Sequence, residues 1–279
     1  MSDTCLSFKN IRQNYLSGNT TVKELFGRII QKIEKRGDDG VWITLVPKTQ
    51  IMRRAIELDL LPVSKKKELP LFGIPFSVKD CIDVAELPTT SACPKYKYTA
   101  HHTNLAVQRA LDAGAILLGK TNMDQFATGV VGVRTPYGVA RNPFNPDYIP
   151  GGSSSGSAVS VSAGLCAFAF GTDTGGSGRV PASYNNIVGL KPTLGLLSRV
   201  DMVNASMHFD TVSIFALTAS DAIEILQICE AVDDRDAYGR ENPTNPTLGE
   251  DKNLRFAIPK TDDLEFFGNL NAKVLYQEG

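Results

Sequence analysis

Residues 151–179 read GGSSSGSAVSVSAGLCAFAFGTDTGGSGR. The small and apolar run from Ser155 to Ala163, closed by Gly164, reads as a helix. From Cys166 to Phe170 two phenylalanines alternate with alanines, as in a short buried strand. Glycines bound both elements, with Gly151 and Gly152 before the helix and Gly171, Gly175, Gly176 and Gly178 after the strand. A helix delivered straight into a buried strand indicates layered α/β architecture.

The alternation extends upstream of this stretch. Ile74 to Val78 reads as a strand, Asn104 to Ala113 as a helix ended by Gly114, and Ala115 to Leu118 as another strand. Nearer the start, Thr21 and Glu24 form a capping box. Val22, Leu25, Phe26, Ile29, Ile30 and Ile33 then line one helix face, and Gly37 ends it, which predicts a covering helix. A strand-like Val41 to Leu45 follows, and the charged stretch Ser64 to Glu68 reads as a linker. This divides a helical N-terminal extension, residues 1–66, from a core, residues 67–279. Further on, residues 234–252 read as an exposed polar loop, Leu254 to Ile258 as a strand and Asn269 to Gln277 as a helix.

Composition excludes several classes of function. Lys and Arg number 29 against 30 Asp and Glu, so no strongly basic field exists to hold nucleic acid or a lipid surface. No apolar run approaches the roughly 18 residues of a membrane span. The five cysteines, Cys5, Cys81, Cys93, Cys166 and Cys229, are scattered without disulfide or zinc spacing, and read as thiols of a cytoplasmic protein. His101, His102 and His208 are too few and too separated for histidine-based metal chemistry, so neither metal nor cofactor is expected.

Four segments carry candidate chemistry. Gly114 to Thr121 matches the nucleotide-binding pattern G-x-x-x-x-G-K-[ST], yet Gly114 ends a helix and the four intervening residues read as strand, which cannot wrap a phosphate. The run Gly151 to Ser157 taken alone is a flexible linker, but it feeds a helix N-terminus where backbone N–H groups favour an anion. Gly171 to Arg179 is either an ordinary glycine turn or a loop that presents Ser177 with main-chain donors turned inward. Lys79, at the end of an apolar strand, is either a solvated lysine or a desolvated base. With a serine nucleophile, Ser-Lys chemistry is coherent.

The lysine-bearing strand, the Gly-Gly-Ser-Ser run and the Thr-Asp-Thr-Gly-Gly-Ser stretch, in this order, resemble the amidase signature family. Ser153 and Ser177 lie 24 residues apart, the family's separation between its bridging and nucleophilic serines. The resemblance implies Ser177 as acyl-accepting nucleophile, Ser153, preceded by a cis peptide bond, as proton bridge, and neutral Lys79 as base. It implies an oxyanion hole from the backbone of Thr174, Gly175, Gly176 and Ser177, and an Asp173–Arg179 pair that braces the loop. Leu87 to Pro94, Asp124 to Gly129, Gly178 to Ala182 and Asn185 to Thr193 are similar to the family's allophanate hydrolase branch, which releases ammonia from allophanate during urea breakdown.

The implied fold is the family's mixed sheet with helices on both faces. Two departures stand out. Val203 to Asp210 reads VNASMHFD, unlike the family's usual small-residue stretch. The family domain also continues well past the position of Gly279, which implies a truncated core that lacks substrate-carboxylate contacts, has little or no allophanate-hydrolysing activity on its own, and pairs with a second copy or a complementary C-terminal chain. The alternatives within this reading are another amidase, the amidotransferase subunit that works on aminoacyl-tRNA, or an inactive fragment.

Overall fold

Capping and apolar periodicity set the first elements. In the computed structural model, which describes residues 5–243 and 257–278, α1 (Phe8–Leu16) starts at Ser7, whose hydroxyl accepts the Asn10 N–H. The predicted capping box is present at the head of α2 (Val22–Arg36), and its six expected apolar residues are all buried. Then follow β1 (Trp42–Leu45), α3 (Lys48–Asp59), α4 (Val63–Lys67) and β2 (Pro75–Lys79). The stretch read as a linker is thus a short, exposed helix held by a Lys65–Glu68 ion pair. Its lack of buried residues removed the periodic signal.

The chain continues through a two-stranded ribbon of β3 (Pro88–Thr89) and β4 (Tyr98–Thr99), then α5 (Leu105–Asp112), β5 (Ile116–Thr121), α6 (Ser155–Ser162), β6 (Phe168–Thr172), α7 (Arg179–Tyr184), β7 (Val188–Leu190), β8 (Val212–Ala216) and α8 (Ala219–Cys229). Six strands form one mixed sheet in the order β1-β5-β2-β6-β8-β7. β5, β2 and β6 run parallel at its centre, and β1, β8 and β7 extend it antiparallel.

Both faces of the sheet are covered. Neighbouring residues of a strand point to opposite faces. Ser77 therefore meets α6, its hydroxyl 2.9 Å from that of Ser160. Phe76, on the other face, stacks on Phe168 at 5.0 Å, and Phe168 in turn receives the edge of Phe8 from α1. Phe8, Phe76, Phe168 and Phe170 are fully buried and form the centre of the core.

The chain divides into two compact units, Met1–Asn242 and Pro243–Gly279. Within the first, β1 belongs to residues 1–66 and is hydrogen-bonded to β5 as an edge of the sheet. Asp236, expected in an exposed loop, is buried instead on Arg199, and the neighbouring Asp233 is buried on Ser198. Charge pairing allowed a polar segment to dock. The second unit carries α9 (Leu270–Glu278), close to the predicted helix. The strand predicted from Leu254 falls mostly outside the described residues.

The nucleotide-like stretch resolves as anticipated. Gly114 terminates α5, and Gly119, Lys120 and Thr121 continue β5 as buried strand. Lys120 is fully buried, 3.8 Å from Asp80 and 3.0 Å from the Thr89 hydroxyl. A Cβ at Gly119 would collide with the Thr44 carbonyl, so this glycine serves strand packing against β1.

Candidate active site

Parallel strands of matched register end side by side. Val78 of β2 pairs with Phe170 of β6, so Lys79 and Thr172, the last residues of their strands, lie together at the carboxyl edge of the sheet. Open α/β sheets bind ligands at this edge. Lys79 is fully buried, and its Nζ donates to Ser153 Oγ at 2.7 Å and to Thr172 Oγ1 at 2.6 Å. Burial pushes the amine below the ordinary lysine value, against the opposing fields of Cys81, Asp124, Asp210 and Asp173.

The serine-rich run leads directly into the helix N-terminus. Ser154 is the N-cap of α6, and the fully buried Ser153 before it is joined to Gly152 by a cis peptide bond. Ser153 O accepts the Asp124 N–H at 3.0 Å. Asp124 in turn accepts the N–H groups of Gly132 and Arg134 at 2.9 and 2.8 Å, so one buried carboxylate ties the 129–134 loop to this turn. The Ser154 N–H donates to the Ser177 carbonyl at 3.3 Å, joining the two serine segments. Ser177 is 4% exposed.

The loop bearing Ser177 is organised around Asp173. Its carboxylate accepts N–H groups of Gly176, Gly178 and Arg179 at 2.8, 3.1 and 3.0 Å. Arg179 adds a two-pronged pair at 2.9 Å through Nε and Nη2, and Lys191 approaches at 3.3 Å. The pairing expected between Asp173 and Arg179 is present in the geometry. The Gly176 N–H, one of the four main-chain donors expected in an oxyanion hole, is spent on Asp173.

Burial works against the Asp173 charge, but the Arg179 side chain, the backbone N–H groups and Lys191 outweigh it and hold the carboxyl far below the usual carboxylate range. A carboxylate with a depressed folded pKa stabilises above its unfolded value and loses that contribution as pH falls through the folded one. Thermal unfolding of the parent should therefore lose more stability than Asp173→Asn as pH drops below about 4. Arg179 is more than half exposed, so salt screens its share and the backbone donors carry most of the effect. Parallel acid slopes for the two proteins would refute it.

Thr172, Asp124, Lys191 and Asp210 were not singled out from the sequence. Thr172 was legible from the register of two strands of equal length, each ending at a polar residue. The others act through loops, where only the completed fold brings their partners within reach. Among the described residues, no group of three or more His, Cys, Asp or Glu is placed to hold a metal ion. Likewise, none of the described helices is long and apolar enough to cross a membrane.

The Amidase family model matches residues 24–274. The chain is 45% identical to the urea amidolyase of Saccharomyces cerevisiae over 240 residues, which are 85% of this chain and 13% of that protein. It is 37% identical to a glutamyl-tRNA(Gln) amidotransferase subunit of Chlorobium luteolum over 275 residues, 96% of this chain and 56% of the relative. A solved Kluyveromyces lactis allophanate hydrolase superimposes with a TM-score of 0.74 at 42% identity, covering 83% of this chain and 38% of that one. The chain therefore spans about half or less of the length of each of these proteins. The motif order read in the sequence, the mixed sheet that carries it and the extent of these matches agree, and this chain belongs to the amidase signature family.

Proposed function

We propose that the site hydrolyses an amide through an acyl-enzyme, with Ser177 as nucleophile, Ser153 as proton bridge and Lys79 as neutral base. The observation that carries this reading is the 2.7 Å contact between a fully buried Lys79 amine and Ser153 Oγ. A lysine whose burial favours the neutral form has a lone pair to accept a proton, and a hydroxyl is its nearest partner.

The Ser177 oxygen attacks the amide carbonyl while its proton moves to Ser153 and the Ser153 proton moves to Lys79. The carbonyl oxygen gains negative charge in the tetrahedral state, and the N–H groups of Thr174, Gly175 and Ser177 stabilise it, while the Gly176 N–H secures Asp173. Lys79 returns its proton through Ser153 to the amide nitrogen, the C–N bond breaks and ammonia departs. Water then repeats the sequence on the acyl group and frees Ser177. Asp173 and Arg179 brace the loop.

The substrate we propose is allophanate, supported by the 45% identity to a urea amidolyase. The site would work in the cytoplasm, with a second copy or a complementary C-terminal chain as partner. Single-turnover ammonia release, with enzyme in excess, compares allophanate with glutamine directly. At least a tenfold preference for allophanate is expected, on the order of 1.4 kcal/mol in transition-state binding. A preference for glutamine would move the assignment to the amidotransferase side of the family.

A further inference from the structure

Thr174 is gripped by two groups from outside its own loop, one on its carbonyl and one on its side chain. Lys191, the residue after β7, donates from Nζ to the Thr174 carbonyl at 3.0 Å. Asp210 accepts the Thr174 hydroxyl at 2.5 Å. Both grips are themselves fixed. Lys191 Nζ also lies 3.3 Å from Asp173 Oδ1, and Asp210 Oδ2 accepts N–H groups of Ala205 and Ser206 at 2.8 and 3.0 Å.

A trans peptide is planar, so the carbonyl of one residue and the N–H of the next point in opposite directions. Holding Thr174 O toward Lys191 turns the Gly175 N–H away from it. On the Gly175 side there is room: the residue is exposed, and a Cβ built there meets nothing within 4 Å. A cation on the carbonyl end also polarises the amide and strengthens its N–H as a donor.

We propose that Lys191 is a positioning residue that aims the Gly175 N–H at the oxyanion formed on attack by Ser177; this rests on the assignment of Ser177 as nucleophile. Lys191 touches no reacting atom. Its effect reaches the reaction through one peptide plane, and it therefore alters the charged transition state rather than the docking of a neutral ligand.

Fluorophosphonate labelling of the whole chain, followed over a range of probe concentrations, separates the two, because the phosphoryl oxygen occupies the oxyanion position. K191M should lower the maximal labelling rate roughly 10- to 100-fold, part of the 10²–10³ typical of deleting an oxyanion donor, with the probe's half-saturating concentration unchanged. K191R, which keeps the cation and its donors, should recover most of the rate. Should K191M not fold, Lys191→Gln replaces it and the same two parameters decide. A parent-like maximal rate in the neutral variant, or a loss confined to half-saturation, overturns the proposal while leaving Ser177 as nucleophile. Equal labelling of the parent and Ser177→Ala overturns the nucleophile assignment and this proposal together.

Discussion

The Ser177→Ala variant is expected to lose covalent labelling by a fluorophosphonate and to release ammonia only at background, a fall of roughly 10⁶-fold, as when a serine nucleophile is removed from a hydrolase. Ser153 and Ser154 are nearby hydroxyls that could substitute in principle. Ser153 is fully buried with its oxygen on Lys79, and the Ser154 hydroxyl is bound to the Thr172 carbonyl at 3.1 Å. Neither is free to accept the acyl group. The substitution removes one oxygen from a residue whose backbone carbonyl holds the Ser154 N–H, so the loop and the melting temperature should stay close to the parent's. Undiminished labelling of Ser177→Ala, mapped by peptide mass, would remove the residue from the mechanism.

Lys79→Ala should lower the labelling rate by about 10²–10⁴, the range for loss of a general base, with the fold retained. Lys79→Met separates chemistry from packing, since it fills the space without an amine. The parent rate should climb with pH to a plateau whose midpoint lies below the roughly 10.4 of an ordinary lysine, because burial favours the neutral amine. The sign for stability follows from the same shift. Between the depressed folded value and the unfolded one, the unfolded chain binds the extra proton, so the parent gains stability as pH rises through that window. Lys79→Met lacks this rise and should be at least as stable as the parent at neutral pH. A variant that labels at the parent rate would place the base elsewhere.

Much of this architecture could be read from local pattern. The capping box of α2, the glycine ends of α5 and α6, and the apolar strands β2 and β6 each declare themselves within a few residues. The three proposed catalytic residues were recognisable because each sits beside a glycine cluster or at a strand end. Less was visible where tertiary contacts decide. α3 buries only Ile51, Ala55 and Leu58, too sparse a stripe to stand out, and β8 is a short, uniformly buried run that periodicity cannot distinguish from a helix. The bonds of Asp124, Lys191 and Asp210 join loops, and no spacing rule anticipates such partners. Gly176 shows the converse, because its position in the motif was evident but the use of its N–H by Asp173 was not.

The Lys79 contacts span 74 residues to Ser153 and 93 to Thr172, and they meet across the two central strands. Such long loops must close before those contacts give any return, so the site forms late, with the middle of the sheet, and not with any local hairpin. Partly folded forms that retain α2 or the β3–β4 ribbon therefore lack the Lys79 contacts to Ser153 and Thr172, which arise only in a chain already committed to its native topology. Formation of the proposed site and global folding are therefore coupled in time.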